Sequence, residues 1–190
     1  MTQTEPTDQD LWAAVAAGEQ AAFGTLFDRH SRAVYNHAFR LCGSWSVAED
    51  LTQTTFLVAW RRRGEVQLTH GTARPWLLVV AGNLALTEGR SARRRRALLG
   101  RMPREHVPDP ADDAAGRLDA ERAMGRVLAA VRKLPRAERE AVALCLWSGV
   151  SYPDAAAVLG VTEVAVRSRV SRARTRLATL LGPTDKEDHR

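Results

Sequence analysis

The stretch SYPDAAAVLGVTEVAVRSRVSRARTRL, Ser151–Leu177, constrains the fold more than any other part of the chain. Ser151 stands three residues before Asp154, with Pro153 between them. That is the pattern of a capped helix start, with proline tolerated in the first turn. Gly160 ends this helix, because glycine enters the left-handed conformation of a C-terminal cap at little cost. Thr162 then caps a second, longer helix. A short helix, a glycine turn and a longer helix make a helix-turn-helix.

The second helix sorts its residues by face. Val166, Val170, Ala173 and Leu177 recur at i, i+4, i+7 and i+11, an apolar seam. Ser168, Ser171 and Thr175 form a small polar face, flanked by Arg169, Arg172 and Arg176 on one side and by Arg167 and Arg174 on the other. A solvated helix mixes Glu with Arg so that i,i+4 pairs form, yet no acid occurs from Val164 to Leu181. The pattern fits a helix whose small residues enter a DNA groove while arginines reach the phosphates on both walls. A net charge of +6 agrees with a polyanionic partner. The only lysines are Lys133 and Lys186, and the planar fork of arginine suits phosphate and guanine edges.

The rest of the chain also reads as helical, since no segment alternates apolar and polar residues as a half-buried strand does. Helices are expected over Leu11–Ala17, Gln20–Leu41 and from Ser46 to Arg63, the last capped by Ser46 with Glu49. Another starts at Ala73 behind a Thr72 cap, and Gly89 favours an early end to it at about 1 kcal/mol. Leu118–Lys133 and the stretch from Pro135 to Gly149 supply two more. The segment GRMPREHVPDPADDAAG, residues 100–116, has three prolines and no apolar period, so it reads as an acidic linker. The expected organisation is all-α: an N-terminal module over 1–99, the linker, a C-terminal module over 117–182 and a disordered tail over 183–190.

Other features bear on function. The arginines in RSARRRRALLG follow a helix that carries Trp76 and Asn83, and basic groups beside aromatics suit unstacked single-stranded bases. In SVAEDLTQTTFLVAWRRR, Val47, Leu51, Thr55 and Val58 form the core stripe. Asp50, Gln53, Thr54, Phe56 and Trp60 lie largely off it, which fits a protein-binding surface and equally a packing of Phe56 and Trp60 on the neighbouring helix. Cys42 and Cys145 are distant in sequence and read as buried free thiols of a reducing compartment. The polar N-terminus is not a signal peptide, and WLLVVAGNLAL is too short to span a bilayer. A cytoplasmic protein without membrane insertion is expected. His30 and His37, seven apart, do not converge as metal ligands do, so no metal is expected. Nor is there a phosphate-binding glycine loop or a nucleophile with a base, so no cofactor, catalytic residue or small-molecule substrate is expected.

Three functions fit these residues: a DNA-binding factor that acts by binding and uses both modules, a DNA-processing enzyme with a helix-turn-helix appendage, and a stand-alone repressor or activator using the C-terminal module alone. Enzymes acting on DNA hold metal with clustered acids. Here the acids gather at residues 1–10 and 105–121, in the tail and the linker.

AEDLTQTTFLVAW, ARPWLLVVAGNLAL with its following arginines, and LPRAEREAVALCLWSGVSYPDAAAVLGVTEVAVRSRVSRARTRL occur in that order across about residues 10–181. Together they resemble the bacterial RNA polymerase sigma factors of the extracytoplasmic-function (ECF) subfamily. The resemblance implies a transcription initiation factor that binds core RNA polymerase and promoter DNA, acts without covalent catalysis and is held in check by an anti-sigma factor. Asp50, Gln53, Thr54, Phe56 and Trp60 match polymerase-binding positions, although Thr54 stands where the family commonly has an acid. The loop from Glu65 to Thr72 matches the segment that captures a flipped minus-ten base, which places His70 beside that base. Arg74, Trp76, Asn83, Thr87 and Arg90 map onto the helix that faces minus-ten DNA; Gly82 replaces an arginine common there. Thr162, Glu163, Val164, Arg167, Ser168, Arg169, Ser171, Arg172 and Arg174 match positions that contact the minus-thirty-five element or pack against the domain. Arg167, near the helix start, is the expected base reader, and Arg176 an expected phosphate contact.

Overall fold

A computed structural model of the chain describes residues 5–99, 124–125 and 127–181. The linker at 100–116, the tail at 183–190 and the side chains of Arg93–Arg96 lie outside the described residues. The described residues contain no strand. Helices α1 (Asp8–Ala16), α2 (Gln20–Cys42), α3 (Trp45–Arg61) and α4 (Arg74–Leu99) form the N-terminal part. A helical stretch α5 at 127–131 is followed by α6 (Arg136–Ala141), which continues as a π-helix over Val142–Trp147. Helices α7 (Tyr152–Leu159) and α8 (Glu163–Leu181) complete the fold.

The helix starts follow their caps. Thr7 accepts the Asp10 amide while Asp10 accepts that of Thr7, a reciprocal capping box that starts α1 at Asp8, upstream of the expected Leu11. Helix α3 begins at Trp45 behind Ser44, whose side chain makes no capping bond. Ser46 therefore lies inside the first turn, and the expected Ser46 cap does not form. In α4 the expected start is displaced by one residue: Thr72 Oγ1 accepts the Arg74 amide, while a carboxylate of α1, Asp8, takes the Ala73 amide. Gly89 does not end α4, which runs on to Leu99. A single glycine costs about 1 kcal/mol, less than the hydrogen bonds of the turns on either side.

Asp8 ties α1 to α2 and to the start of α4. Its carboxylate is buried, ion-pairs with Arg29 and shares a hydrogen bond with His30 of α2, each at 2.7 Å. It also accepts the Thr72 hydroxyl at 3.0 Å and the Ala73 amide at 2.9 Å. Burial raises the carboxyl, but the amide, Arg29 and His30 outweigh it and hold Asp8 below its ordinary value. Around this knot Leu11, Val15, Leu26, Val34, Leu77 and Leu78 close the core.

That core does not stop at the linker. The same cluster contains Ala141, Leu144, Val150, Ala155, Val166 and Val170 from the C-terminal helices. The C-terminal helices pack on α2 and α4, with α8 held by its expected seam: Val166, Val170 and Ala173 are buried. A cavity of about 250 Å3 remains at the junction, lined by residues including His37, Gly82, Ala143 and Leu144.

Candidate nucleic-acid and polymerase interfaces

The C-terminal candidate site is the capped pair α7–α8. Ser151 accepts the Asp154 amide, Gly160 takes φ +64°, and Thr162 Oγ1 accepts the Ala165 amide at 3.2 Å. All three signals expected in the opening stretch are therefore formed. Thr162, Val164, Arg167, Ser171, Arg172 and Arg174 are exposed on the solvent side of α8, whereas Glu163, Ser168 and Arg169 are half-buried. Val164 at the first turn is 75% exposed, an apolar group with no intramolecular partner surface. Arg167 bonds Glu163 at 2.7 Å and lies 5.3 Å from the centre of the Tyr152 ring, so its guanidinium is held at the N-terminal end of the helix.

Two arginines are less free than the sequence suggests. Arg172 donates to Ser168 at 2.5 Å and to Glu138 of α6 at 3.3 Å, and Arg176 sits 3.5 Å from the second Glu138 oxygen. Glu138 is 5% exposed. Beyond Glu163 in its first turn α8 has no acid of its own, and the partner of these two arginines comes from α6. Arg176, expected at phosphate, is half exposed and has this buried carboxylate beside it.

The helix expected to carry polymerase contacts presents Asp50, Gln53 and Thr54 on one exposed face. Phe56 does not join them. It is 4% exposed and packs against Phe23 and Phe27, the latter at 4.7 Å between ring centres. Trp60 is half-buried, edge-on to Phe23 at 5.1 Å, with the Arg63 guanidinium 4.4 Å from its ring centre. Of the two placements the sequence leaves open, Phe56 takes the one packed on the neighbouring helix, and Trp60 is divided between them. The second aromatic layer of α2 claims these rings. The exposed apolar group of this face is instead Leu57, 55% exposed and one turn beyond Gln53 and Thr54. Its i+4 spacing from Gln53 was visible in the sequence; aromatic size drew attention to its neighbours.

On α4, Asn83, Thr87 and Arg90 recur at i, i+4 and i+7 and are all exposed. Trp76 is half-buried and edge-on to Trp12 at 5.7 Å, so it braces α4 against α1. His70 sits in a short 3-10 turn, Thr69–Gly71, at φ +54°, the one described non-glycine residue in the left-handed region. Histidine holds that conformation at a cost of about 1 kcal/mol or more. Here Asp154 bonds its Nδ1 at 2.5 Å. Arg74 is half-buried and donates to the Ser148 carbonyl at 2.6 Å.

His37 is buried and shares a hydrogen bond of 2.7 Å with Ser148. Burial, with help from Arg40, pushes its imidazole down to about 4, so it is neutral at physiological pH. Cys42 and Cys145 are free thiols and only half-buried, a correction to the expected burial. Burial nevertheless pushes the Cys145 thiol up to about 11, which leaves it unreactive. Among the described residues no helix is long and apolar enough to cross a membrane, and no three potential metal ligands gather.

A capped helix-turn-helix with a cationic second helix, carried on an all-helical frame, defines a helix-turn-helix DNA-binding protein. Comparison with known proteins narrows the class. Residues 26–95 match the family described as Sigma-70 region 2, and residues 124–177 that described as Sigma-70, region 4. The chain is 37% identical to the ECF RNA polymerase sigma factor SigE of Mycolicibacterium smegmatis over 190 residues, covering 96% of this chain and 72% of that protein. It is also similar to CnrH as solved in complex with the cytosolic domain of CnrY, with a TM-score of 0.65, 31% identity and 92% and 96% of the two chains covered. A third likeness is to the sigma factor RpoE in complex with the anti-sigma factor NepR from Bartonella quintana, with a TM-score of 0.59, 30% identity and 86% and 98% covered. The chain belongs to the ECF RNA polymerase sigma factors.

Proposed function

We propose that promoter recognition by this sigma factor is divided between its two modules, 1–99 and 117–182. In this reading Asp50, Gln53 and Thr54 on α3 engage core RNA polymerase, with Phe56 and Trp60 supporting that face from beneath. His70, Arg74, Trp76, Asn83, Thr87 and Arg90 engage the minus-ten element. The exposed face of α8, led by Arg167 with Arg174, engages the minus-thirty-five element. The observation that carries this reading is the cationic, outward-facing side of α8 in a fully capped helix-turn-helix, set behind a separate exposed polar face on α4. The chain works by binding rather than covalent catalysis, in the cytoplasm. An anti-sigma factor restrains it, in keeping with the relative RpoE solved with NepR.

Runoff transcription with purified core polymerase tests the reading directly. Specific starts should appear only when chain and core are both present, and mapping them gives the promoter. Deleting residues 1–99 should abolish promoter melting; retention of sequence-specific binding and regulation without that module would favour a simple repressor or activator.

A further inference from the structure

Helix α1 grips both ends of the loop between α3 and α4. At the entry, the buried Trp12 indole donates its Nε1–H to the Val66 carbonyl at 3.1 Å. At the exit, Asp8 accepts the Thr72 hydroxyl at 3.0 Å and the Ala73 amide at 2.9 Å. Asp8 and Trp12 are four residues apart on α1, so both grips leave one face of that helix. Val66 and Leu68 pack against the core that holds Leu11, Trp12 and Val15. Between the grips, His70 at φ +54° and Gly71 at φ +72° turn the chain back, and the side chains of Gln67 and His70 are exposed.

The same two residues fix the start of α4. Trp12 lies edge-on to Trp76 at 5.7 Å. The Thr72 hydroxyl that donates to Asp8 accepts the Arg74 amide at 3.3 Å. Asp8 is held in turn by Arg29 and His30 of α2. Loop and helix therefore share one mount, made wholly within the N-terminal module. Both anchoring side chains are buried, so neither is placed to touch DNA.

A loop that takes an unstacked base gains from being shaped beforehand. Unstacking the base already costs free energy. A loop that had to order itself at the same moment would add its own conformational entropy. Bonds made on folding remove that second cost.

We propose that Trp12 and Asp8 are positioning residues for minus-ten base capture. Helix α1 preshapes the loop from Glu65 to Thr72 and sets it against the exposed face of α4, so that the captured base and the strand along Asn83, Thr87 and Arg90 are engaged together. This rests on the reading that the loop takes a minus-ten base.

The test uses the full chain assembled with core polymerase on a promoter mapped by runoff transcription. Trp12→Phe keeps a ring against Trp76 and removes the indole donor. Asp8→Asn keeps one acceptor oxygen and removes the charge, and it carries the comparison if the first variant does not fold. Circular dichroism at the assay temperature gives the folded fraction, and fluorescence anisotropy gives the affinity for core polymerase. Permanganate reactivity of unpaired thymines reads melting. It is measured on the native promoter and on a series in which each minus-ten nucleotide of the non-template strand is made abasic in turn.

Both variants should bind core polymerase as the wild type does and form the melted complex about three- to tenfold less well, as the loss of one hydrogen bond predicts. On the template that lacks the captured base, wild type and variants should be equal, because the preshaped loop has nothing to take. One measurement needs no variant: the Ala73 amide of the wild-type chain should resist hydrogen exchange before promoter is added. Protection that arises only with promoter would overturn the preshaping. A loss of equal size on every template, abasic ones included, would reduce α1 to a structural support and overturn the positioning role, as would undiminished melting by the folded variants. A wild-type chain that no abasic position weakens would instead overturn base capture by the loop, and the positioning with it, while specific runoff transcription leaves the sigma function standing.

Discussion

Arg172 Nε stands 3.3 Å from Oε1 of Glu138, a carboxylate on another helix that is only 5% exposed. Arg176 approaches the other oxygen at 3.5 Å. One buried acid thus ties two of the five arginines of the cationic helix to α6. Their charges fasten α8 to its own domain before any DNA arrives.

The arginines of α8 should therefore separate by role. Arg174 is exposed and should behave as a phosphate contact: Arg174→Ala weakens binding evenly across sequences and lowers the salt slope by about one. Arg176→Ala should change the salt slope by much less than that and instead reduce stability by about 0.5–1 kcal/mol, since its guanidinium is half exposed. Glu138→Ala, which removes a buried partner of both arginines, should cost about 1–3 kcal/mol. Urea unfolding and salt titrations of DNA binding measure the two effects side by side; equal salt slopes for Arg174→Ala and Arg176→Ala would refute the division.

Arg167 should carry sequence preference. It lies at the N-terminal end of α8, its guanidinium positioned by Glu163 at 2.7 Å and by the Tyr152 ring. A bidentate arginine–guanine pair discriminates by about 1–3 kcal/mol. Arg167→Ala should lose that discrimination at one base pair of the minus-thirty-five element and keep the rest. Binding to a set of single-base variants of a mapped promoter checks this. A loss uniform over the set would assign Arg167 to phosphate.

The helix-turn-helix was legible because its signals are local: Ser151, Gly160 and Thr162 each act within one turn of chain. The apolar seam of α8 was legible for the same reason, since periodicity alone places Val166, Val170 and Ala173 inside. What the sequence hid is tertiary. Glu138 lies 34 residues before Arg172 and reads as one more surface acid. Asp8 sits in a polar, acidic N-terminal stretch, and nothing nearby in sequence shows that Arg29, His30 and the Ala73 amide converge on it. Spacing on α3 left Phe56 open between surface and core, because the rings that decide it, Phe23 and Phe27, lie on α2. The junction between the modules was invisible as well, because residues separated by more than fifty positions make it, such as Arg74 with Ser148.

Asp8 should be among the least replaceable polar residues of the N-terminal part. Asp8→Ala leaves the His30 imidazole and the Ala73 amide buried without their acceptor. Removing one partner of such a buried pair costs about 3–5 kcal/mol. Asp8→Asn keeps one acceptor oxygen and should cost less. Denaturant midpoints order the two variants. A smaller loss for the alanine than for the asparagine would show that the carboxylate is not the common partner of α1, α2 and α4.

His37 makes the closed junction sensitive to acid. Its imidazole is pushed down to about 4 by burial, against an ordinary value of 6.5 in the unfolded chain. The native state therefore binds this proton more weakly than the unfolded state. Its contribution is fully present above about pH 6.5 and is lost as the pH falls from there toward 4. Between pH 7.5 and 5 the loss should be about 2 kcal/mol, from about 1.4 kcal/mol for each unit over the part of the window crossed. His37→Gln keeps a polar partner for Ser148 and cannot titrate. Its stability should fall less over the same interval, the difference between the two curves isolating His37 from the carboxylates that also gain protons. Urea unfolding at the two pH values measures this. Parallel curves for the wild type and His37→Gln would show that the buried imidazole does not govern the acid response.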